Sequence, residues 1–487
     1  MKDPRARVVA WTAALVFISF AGSALCGALA RLTRAASNLP GPFSFTAGAA
    51  LPLPVINGAD GALPLFFGFV VVFCALGFAG WRLAGVLRDA PAMPGWTLVA
   101  AQAIVGLSLS FFSVTFSSDA YAYVLFGRAH GVFGLNPYIL AGPMRVLNDD
   151  VLAPILNFFG DPPLRDDYGP LWTVGAGIVG RAETHASLWT QVWTQRLFAV
   201  FGACVCSWGL LRLRGDASAS ARNFGVALFA FHPLVLWESA VGGHNDFVML
   251  AAVVWAFALV EAYPMIAGAL LGVAIGIKYV PLVVLPALAG RAFRSGGLGM
   301  AAACAAIALA IPLLSFAPFW AGAAMFRSLQ EPASSLGFSP TSILLAPLFL
   351  HGPAAIAWGR LPQFVLGALV VWLAIAACVD AVRGRWLHSF WRPIAAFIWS
   401  APSVNTWYIA WFSPAIACGG RWSAYAWWLG ALTVVHYAFD MGALGHGPFG
   451  FAWEAAAIVF VLIVPIVLSR TSTEGADASR PASKDFL

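Results

Sequence analysis

The run Thr97-Leu98-Val99-Ala100-Ala101-Gln102-Ala103-Ile104-Val105-Gly106-Leu107-Ser108-Leu109-Ser110-Phe111-Phe112-Ser113-Val114-Thr115-Phe116 leads straight into Ser117-Ser118-Asp119-Ala120-Tyr121-Ala122-Tyr123-Val124-Leu125-Phe126-Gly127-Arg128. The first part carries no charge and has the ~20 residues that a helix needs to cross a bilayer. The second begins with a carboxylate where lipid gives way to water, beside aromatic rings and an arginine. Only 21 of 487 residues are acidic, so that placement asks for a reason.

The rest of the chain has the same character. It is 61% hydrophobic and 10% charged, with a mean hydropathy of +0.82, whereas a soluble domain is about a quarter charged. The apolar segments are helix-length and rich in Leu, Ala, Val and Gly, which excludes the ten-residue alternating strands of a barrel. The expectation is an all-α polytopic membrane protein: a single transmembrane domain over 1–469, followed by a disordered cytoplasmic tail over 470–487. Spanning candidates fall at 8–30, 62–84, 95–116, 191–211, 222–240, 245–262, 264–278, 280–292, 297–315, 362–382, 391–403, 407–418, 423–441 and 452–469. That is a bundle of about 11–14 helices, the short members being the least secure. The first is an uncleaved helix rather than a signal peptide, because its apolar run reaches Ala30. Cys26, Cys74, Cys204, Cys206, Cys304, Cys378 and Cys418 all lie in apolar runs with no CxxC pair, and read as small core residues. A net charge of +6 then reflects arginines that orient helices and touch anionic lipid, and nucleic acid is not an expected partner.

Basic residues set the orientation. With the N-terminus inside, Arg82 to Arg88 is cytoplasmic after two crossings, and Asp119 emerges outside after the third. The cluster Arg212, Arg214 and Arg222 belongs inside again, so one crossing at 191–211 must separate it from a long outer loop at 117–190. Gly169–Gly180 is therefore an interfacial helix rather than a spanning one, and the same parity makes 341–358 re-entrant or interfacial. The outer loop holds Asp119, Asp149, Asp150, Asp161, Asp166, Asp167 and Glu183, a third of all the acids. Arg128, Arg145, Arg165 and Arg181 sit there against the topological trend, which suits an anionic ligand outside.

Several residues in this frame could carry chemistry, each with an ordinary alternative. Asp119, with Tyr123, Phe126 and Arg128 following at helical spacing, could simply cap a helix. In Asp166-Asp167-Tyr168-Gly169-Pro170-Leu171-Trp172 an acid precedes an interfacial helix with proline in its first turn and a tryptophan anchor. The segment from Glu238 through His244, Asn245 and Asp246 suits a polar site, with a capped hairpin as the rival. His–x–Asp is weak as a metal signature because no third ligand is spaced to match. Lys278 lies in an apolar stretch, where an ionisable group is a functional candidate unless it snorkels to the interface. Arg327 and Glu331 are loop charges, and Asn405-Thr406-Trp407-Tyr408 would put aromatic and amide groups at the outer end, where belt residues also occur.

Taken in order, these pieces resemble the polyprenol-phosphate-mannose-dependent mannosyltransferases of the C-type superfamily of membrane glycosyltransferases. The matching residues are Asp119-Ala120-Tyr121 with Gly127, Asn136-Pro137-Tyr138, Tyr168-Gly169-Pro170-Leu171, Gly243-His244-Asn245-Asp246, Gly276-Ile277-Lys278-Tyr279-Val280-Pro281 and Trp407-Tyr408. They cover roughly 95–415. The resemblance implies an inverting transfer of a sugar, mannose first and arabinose or glucose next, from a polyprenyl-phosphate donor to a glycan or glycolipid hydroxyl. The setting would be the outer face of the plasma membrane, with 117–190 as the catalytic loop. Asp119 would be the general base and Lys278, Arg327 and Arg128 the cations for the leaving phosphate. His244 and Asp246 would hold hydroxyls, with Asp167 as a reserve acid and Tyr123, Tyr168, Asn245, Trp407 and Tyr408 lining the substrate. No cofactor follows, and a divalent metal stays open because the superfamily contains both kinds. Two departures stand out: two helices precede the one leading into Asp119, and no soluble domain follows 420. A transporter or lipid flippase is the main alternative, to be recognised by inverted repeats with broken helices, and none is seen; a non-catalytic scaffold is the other.

Overall fold

The computed structural model describes residues 3–32, 62–112, 117–140, 147–159, 165–325, 353–385, 387, 390–401, 404–437 and 450–477. The elements before residue 320 are α1 (Pro4–Leu32), α2 (Ala62–Arg88), α3 (Gly95–Ser110), α4 (Asp119–Gly131), α5 (Leu152–Phe159), α6 (Pro170–Ala182), α7 (Leu188–Leu213), α8 (Ala219–Ala230), α9 (Pro233–Ala240), α10 (Asp246–Leu259), α11 (Pro264–Ile277) and α12 (Leu285–Ser315). Helices Pro353–Val382, Arg392–Ser400, Gly420–Leu432 and Gly450–Asp477 follow. Among the described residues there is no strand beyond one isolated bridge, between Ala321 and Ala323.

Five helical stretches are long and apolar enough to cross a membrane: Pro4–Leu29, Leu63–Arg88, Leu188–Leu213, Val280–Phe319 and Phe364–Val382. Gly95–Ser110, Asp246–Leu259, Pro264–Ile277 and Ala456–Ser469 are shorter and apolar. The large side chains these helices turn outward are themselves apolar, Phe17, Val71, Leu313 and Phe364 being more than half exposed. A water-soluble monomer does not present such belts; lipid is the solvent that suits them. The protein is an all-α polytopic membrane protein. All seven cysteines are free thiols, five of them buried.

Several expected helices differ in detail, each for a local reason. The stretch 222–240 is two helices, because Pro233 has no N–H to continue the ladder. His232 caps the second, its Nδ1 accepting the Leu234 N–H at 3.2 Å. The stretches 280–292 and 297–315 join as α12 across a break at Gly296 and Gly297, with a 3₁₀ turn at Val280–Val284 before it. The stretch 407–418 is not a spanning helix. It is the short helix Thr406–Ile409, a 3₁₀ turn Ala410–Phe412 and a last turn Ala415–Cys418, ended by Gly419 at φ 81°. The final helix runs to Asp477, so the first residues expected as a disordered tail are helical; 478–487 lie outside the described residues. Of 341–358, the residues up to 352 also lie outside them, and Pro353 already starts the next long helix.

In the bundle α10 packs between α7 and α11, α11 against α12, and α1 against α2. The described residues between 117 and 187 form a layer on this bundle, in which α4 lies along α6 and packs on α7, and α6 packs on α11. At 13 residues, α6 is too short to cross a bilayer, as expected of the Gly169–Gly180 segment. Arg128 pins the layer from inside: it is ion-paired with Asp149 and donates to the Thr184 carbonyl at 3.1 Å. Asp149 in turn accepts the Val151 and Leu152 N–H groups at 2.9 Å each, starting α5. Breaking a buried ion pair from one side strands the other charge, typically at about 3–5 kcal/mol. Arg128→Met should therefore lower unfolding stability in detergent by about 3 kcal/mol; unchanged denaturation curves would contradict this role.

Candidate active site

Five separate pieces of chain meet at one polar cluster. Asp119 stands in the first turn of α4, His244 and Asn245 in the turn between α9 and α10, and Asp246 in the first turn of α10. Lys278 terminates α11, Tyr168 precedes α6, and Trp407, Tyr408 and Trp411 come from the short helical turns after residue 404.

The His244 ring is the hub. Its Nδ1 lies 3.3 Å from Asp119 Oδ2, and its Nε2 lies 3.1 Å from Glu238 Oε2. These are ion-pair contacts more than well-aligned hydrogen bonds. Trp407 stacks on the ring at 4.4 Å between centroids and 18° between planes. The turn that presents the ring depends on glycine: Gly243 adopts φ 70°, which a side chain disfavours, and a Cβ on Gly242 would meet the His244 ring and Glu238 Oε2. The His244 N–H then donates to the Glu238 carbonyl at 3.1 Å. Glu238 also accepts the Tyr437 hydroxyl, and Trp237 beside it packs edge-on against Phe69 and Phe112.

Lys278 donates to Asp246 Oδ1 at 2.8 Å, and Trp411 Nε1 donates to the same oxygen. The ammonium sits among the rings of Tyr408, Trp411 and Tyr168, at 5.2, 5.3 and 6.0 Å. Tyr168 is common to both halves of the cluster: its ring lies under the Lys278 ammonium, and it helps to hold the Asp119 carboxyl below its ordinary value. Its position follows from close backbone packing. The Gly169 N–H donates to the Ile277 carbonyl at 2.9 Å, and a Cβ on Gly169 would come within 2.2 Å of the Gly276 oxygen. Tyr138 and Tyr279 hydroxyls both donate to the Tyr168 carbonyl, at 2.9 and 3.1 Å.

Exposure separates the charged groups. Glu238, His244 and Asp246 are buried, while the side chains of Asp119 and Lys278 are 15% and 13% exposed. Burial would push the Asp119 carboxyl up, but His244, Lys278 and Tyr168 outweigh it and hold the carboxyl below its ordinary value of 3.8. Burial likewise opposes charge on His244, and the Asp119 and Glu238 carboxylates at its two nitrogens raise it to about 9. The arrangement is an ionised carboxylate and an ammonium at the accessible edge of a sealed cluster, with an imidazolium behind the carboxylate.

Not every expected site residue is here. Arg128 lies nine residues beyond Asp119, half a helical turn round to the opposite face, and is taken up by Asp149. Asp119 is not a helix cap; Ser118 occupies that position without a side-chain bond. Tyr123 is buried beneath the site, its hydroxyl accepting the Asn245 N–H at 3.3 Å. Of the paired acids, Asp167 is exposed. Asp166 is buried, accepting from Tyr168 N–H at 2.9 Å and Thr173 Oγ1 at 2.7 Å, and burial pushes it up to about 8. Arg327 falls outside the described residues. Glu238, which opens the segment that suits a polar site, joins the cluster through His244; Trp411 and Tyr437 have no sequence signal beyond their type. Among the described residues no group of three or more His, Cys, Asp or Glu side chains is disposed to hold a metal ion.

Fold and cluster together define a polytopic membrane protein with a convergent polar site among the described residues. Residues 12–294, more than half of the chain, match the family model for alpha-(1->6)-mannopyranosyltransferase, N-terminal domain. The chain belongs to that family and is a membrane mannosyltransferase. No curated protein and no solved structure gives a significant match. The matched region begins inside α1, so the two helices ahead of α3 are part of the family's own domain rather than an addition to it.

His244 is raised above its ordinary 6.5, so its contribution to stability is complete below pH 6.5 and disappears as pH rises through about 9. Asp119 contributes in the other sense, above pH 3.8, and loses its contribution as pH falls through its lowered value. The unfolding midpoint in detergent should fall between pH 7 and about pH 10, and His244→Gln should flatten that fall; equal slopes in the two proteins would contradict the imidazolium.

Proposed function

We propose that the protein transfers mannose from a polyprenyl-phosphate donor to an acceptor hydroxyl, with inversion, at the outer face of the plasma membrane. The observation that carries this is the pairing of exposure with charge: of the three clustered carboxylates Asp119 is the one with access, and Lys278 is an accessible cation beside Tyr168. The acceptor oxygen attacks the anomeric carbon as the bond from that carbon to the phosphate oxygen breaks. Asp119 takes the acceptor proton, and the lipid phosphate leaves as an anion. A carboxylate of low basicity suffices, because the hydroxyl becomes acidic only as its bond to carbon forms. Lys278 offers the phosphate a charged donor, with Asp246 and three rings holding the ammonium in place.

Arg327 is a second cation in this reading, on the resemblance alone. The distribution of arginines supports an outer-side site, with most basic loops on the opposite side. A glycan or glycolipid acceptor follows from the family, and no step is drawn through a metal. A transporter would spread polar groups along a path between two broken, repeated halves; their convergence at one cluster supports the enzyme.

Reconstituted protein supplied with radiolabelled polyprenyl-phosphate mannose and a panel of glycan acceptors should form labelled product, while arabinose and glucose donors test the sugar. Asp119→Asn should lower turnover about 10²–10⁴-fold in a protein that still unfolds cooperatively. Retained turnover would remove Asp119 as the base, and translocated label without product would favour the transporter.

A further inference from the structure

His244 was expected to touch substrate, and its surroundings leave it no room to do so. Both ring nitrogens face carboxylates, at 3.3 and 3.1 Å, Trp407 covers one face, and the side chain is fully buried. Its partner Glu238 is buried as deeply and divides its oxygens, Oε2 to the ring and Oε1 to the Tyr437 hydroxyl. Tyr437 is wedged edge-on against Phe69 of α2 at 4.8 Å. A chain of polar contacts thus runs Tyr437–Glu238–His244–Asp119, from the core of the bundle to the accessible edge.

We propose that Glu238 and His244 are positioning residues: Glu238 holds His244 as a buried cation, and that cation fixes Asp119 ionised and in one orientation. This rests on the reading of Asp119 as the base. One carboxylate oxygen, Oδ2, faces the ring. The acceptor's proton then goes to the other oxygen; His244 keeps its own proton throughout, and none passes on to Glu238. The device solves a problem that burial creates. A carboxylate in a largely dehydrated pocket tends to pick up a proton and cease to be a base, and a fixed positive charge behind it prevents that without occupying substrate space.

The other groups facing the ring do not substitute for Glu238. Asp246 Oδ2 is 4.0 Å from Nδ1, beyond hydrogen-bond reach and at the nitrogen that faces Asp119, whereas Glu238 holds Nε2 at 3.1 Å. Lys278 and Tyr168 help to hold the Asp119 carboxyl ionised. Arg196 of α7 lies behind Gly243, and its Nη1 donates to the Ser110 and Phe112 carbonyls at 3.0 and 2.9 Å. Thr406 and Tyr437 reach Glu238 rather than His244. Tyr123 bonds the Asn245 backbone.

Glu238→Gln keeps the shape and removes the charge. In full-length reconstituted protein it should lower kcat about tenfold near pH 8 with KM within about twofold, and move the basic limb of the pH–rate profile about two units or more towards acid. Glu238→Asp keeps the charge, so its basic limb should stay in the wild-type position even if kcat falls. Nitrogen-15 histidine spectra, with His244→Gln for assignment, should show His244 doubly protonated at pH 7.5 in the wild type and neutral in Glu238→Gln. An unmoved profile and unmoved histidine signals in Glu238→Gln, or equal displacement by both Glu238 variants, would overturn the positioning role while Asp119→Asn remains inactive. An active Asp119→Asn would instead overturn the reading of Asp119 itself.

Discussion

Placing three carboxylates, an imidazole and an ammonium in one space largely closed to water is the constraint that shapes this protein. Isolated charges in such surroundings are strongly disfavoured, so each must be paired and held. Asp246 is matched with Lys278, and Asp119 and Glu238 share His244. The pairs come from α4, α9, the α9–α10 turn, α10 and the end of α11, so the cluster exists only if all of these meet in register. Much of the architecture around it serves that meeting. Pro233 breaks one long helix into α8 and α9, bringing Glu238 to the level of the turn, and Gly243 folds the chain back so that its histidine faces inward.

The short motifs that carry the family resemblance take on separate physical jobs in this light. Asn136-Pro137-Tyr138 and Tyr279 do not touch the charged groups; their tyrosines anchor the Tyr168 carbonyl, and Asn136 ties the segment to the Phe319 carbonyl at 2.7 Å. Tyr168-Gly169-Pro170-Leu171 and Gly276-Ile277-Lys278 meet backbone to backbone, which sets the Tyr168 ring under the lysine. The rings that complete the site, Trp407, Tyr408 and Trp411, lie beyond the matched residues 12–294. The matched region of this chain therefore carries the charges, and its later part covers them.

How much of this could be read from the residues alone follows their physics. Apolar run lengths gave the membrane class, and the scarcity of acids singled out Asp119 and the His244–Asp246 turn. Angular position on a helix separates Arg128 from Asp119: nine residues on is the opposite face, where Arg128 is paired with Asp149. Pro233 and Pro414 likewise marked the breaks in 222–240 and 407–418. Other features had no local signature. That Asp166 and not Asp167 is buried, that Trp411 bonds Asp246, and that Tyr437 reaches Glu238 across 199 residues depend on packing between distant elements, which periodicity and spacing do not encode.

The central claim is that the accessible edge between Asp119 and Lys278 is where donor and acceptor react. The most direct test is a structure of the Asp119→Asn protein, in lipid nanodiscs, with polyprenyl-phosphate mannose bound. The account predicts the phosphate against Lys278 Nζ and the anomeric carbon turned towards residue 119, with His244 still shielded behind it. A donor phosphate bound away from Lys278, or a sugar in contact with His244 and remote from residue 119, would contradict it.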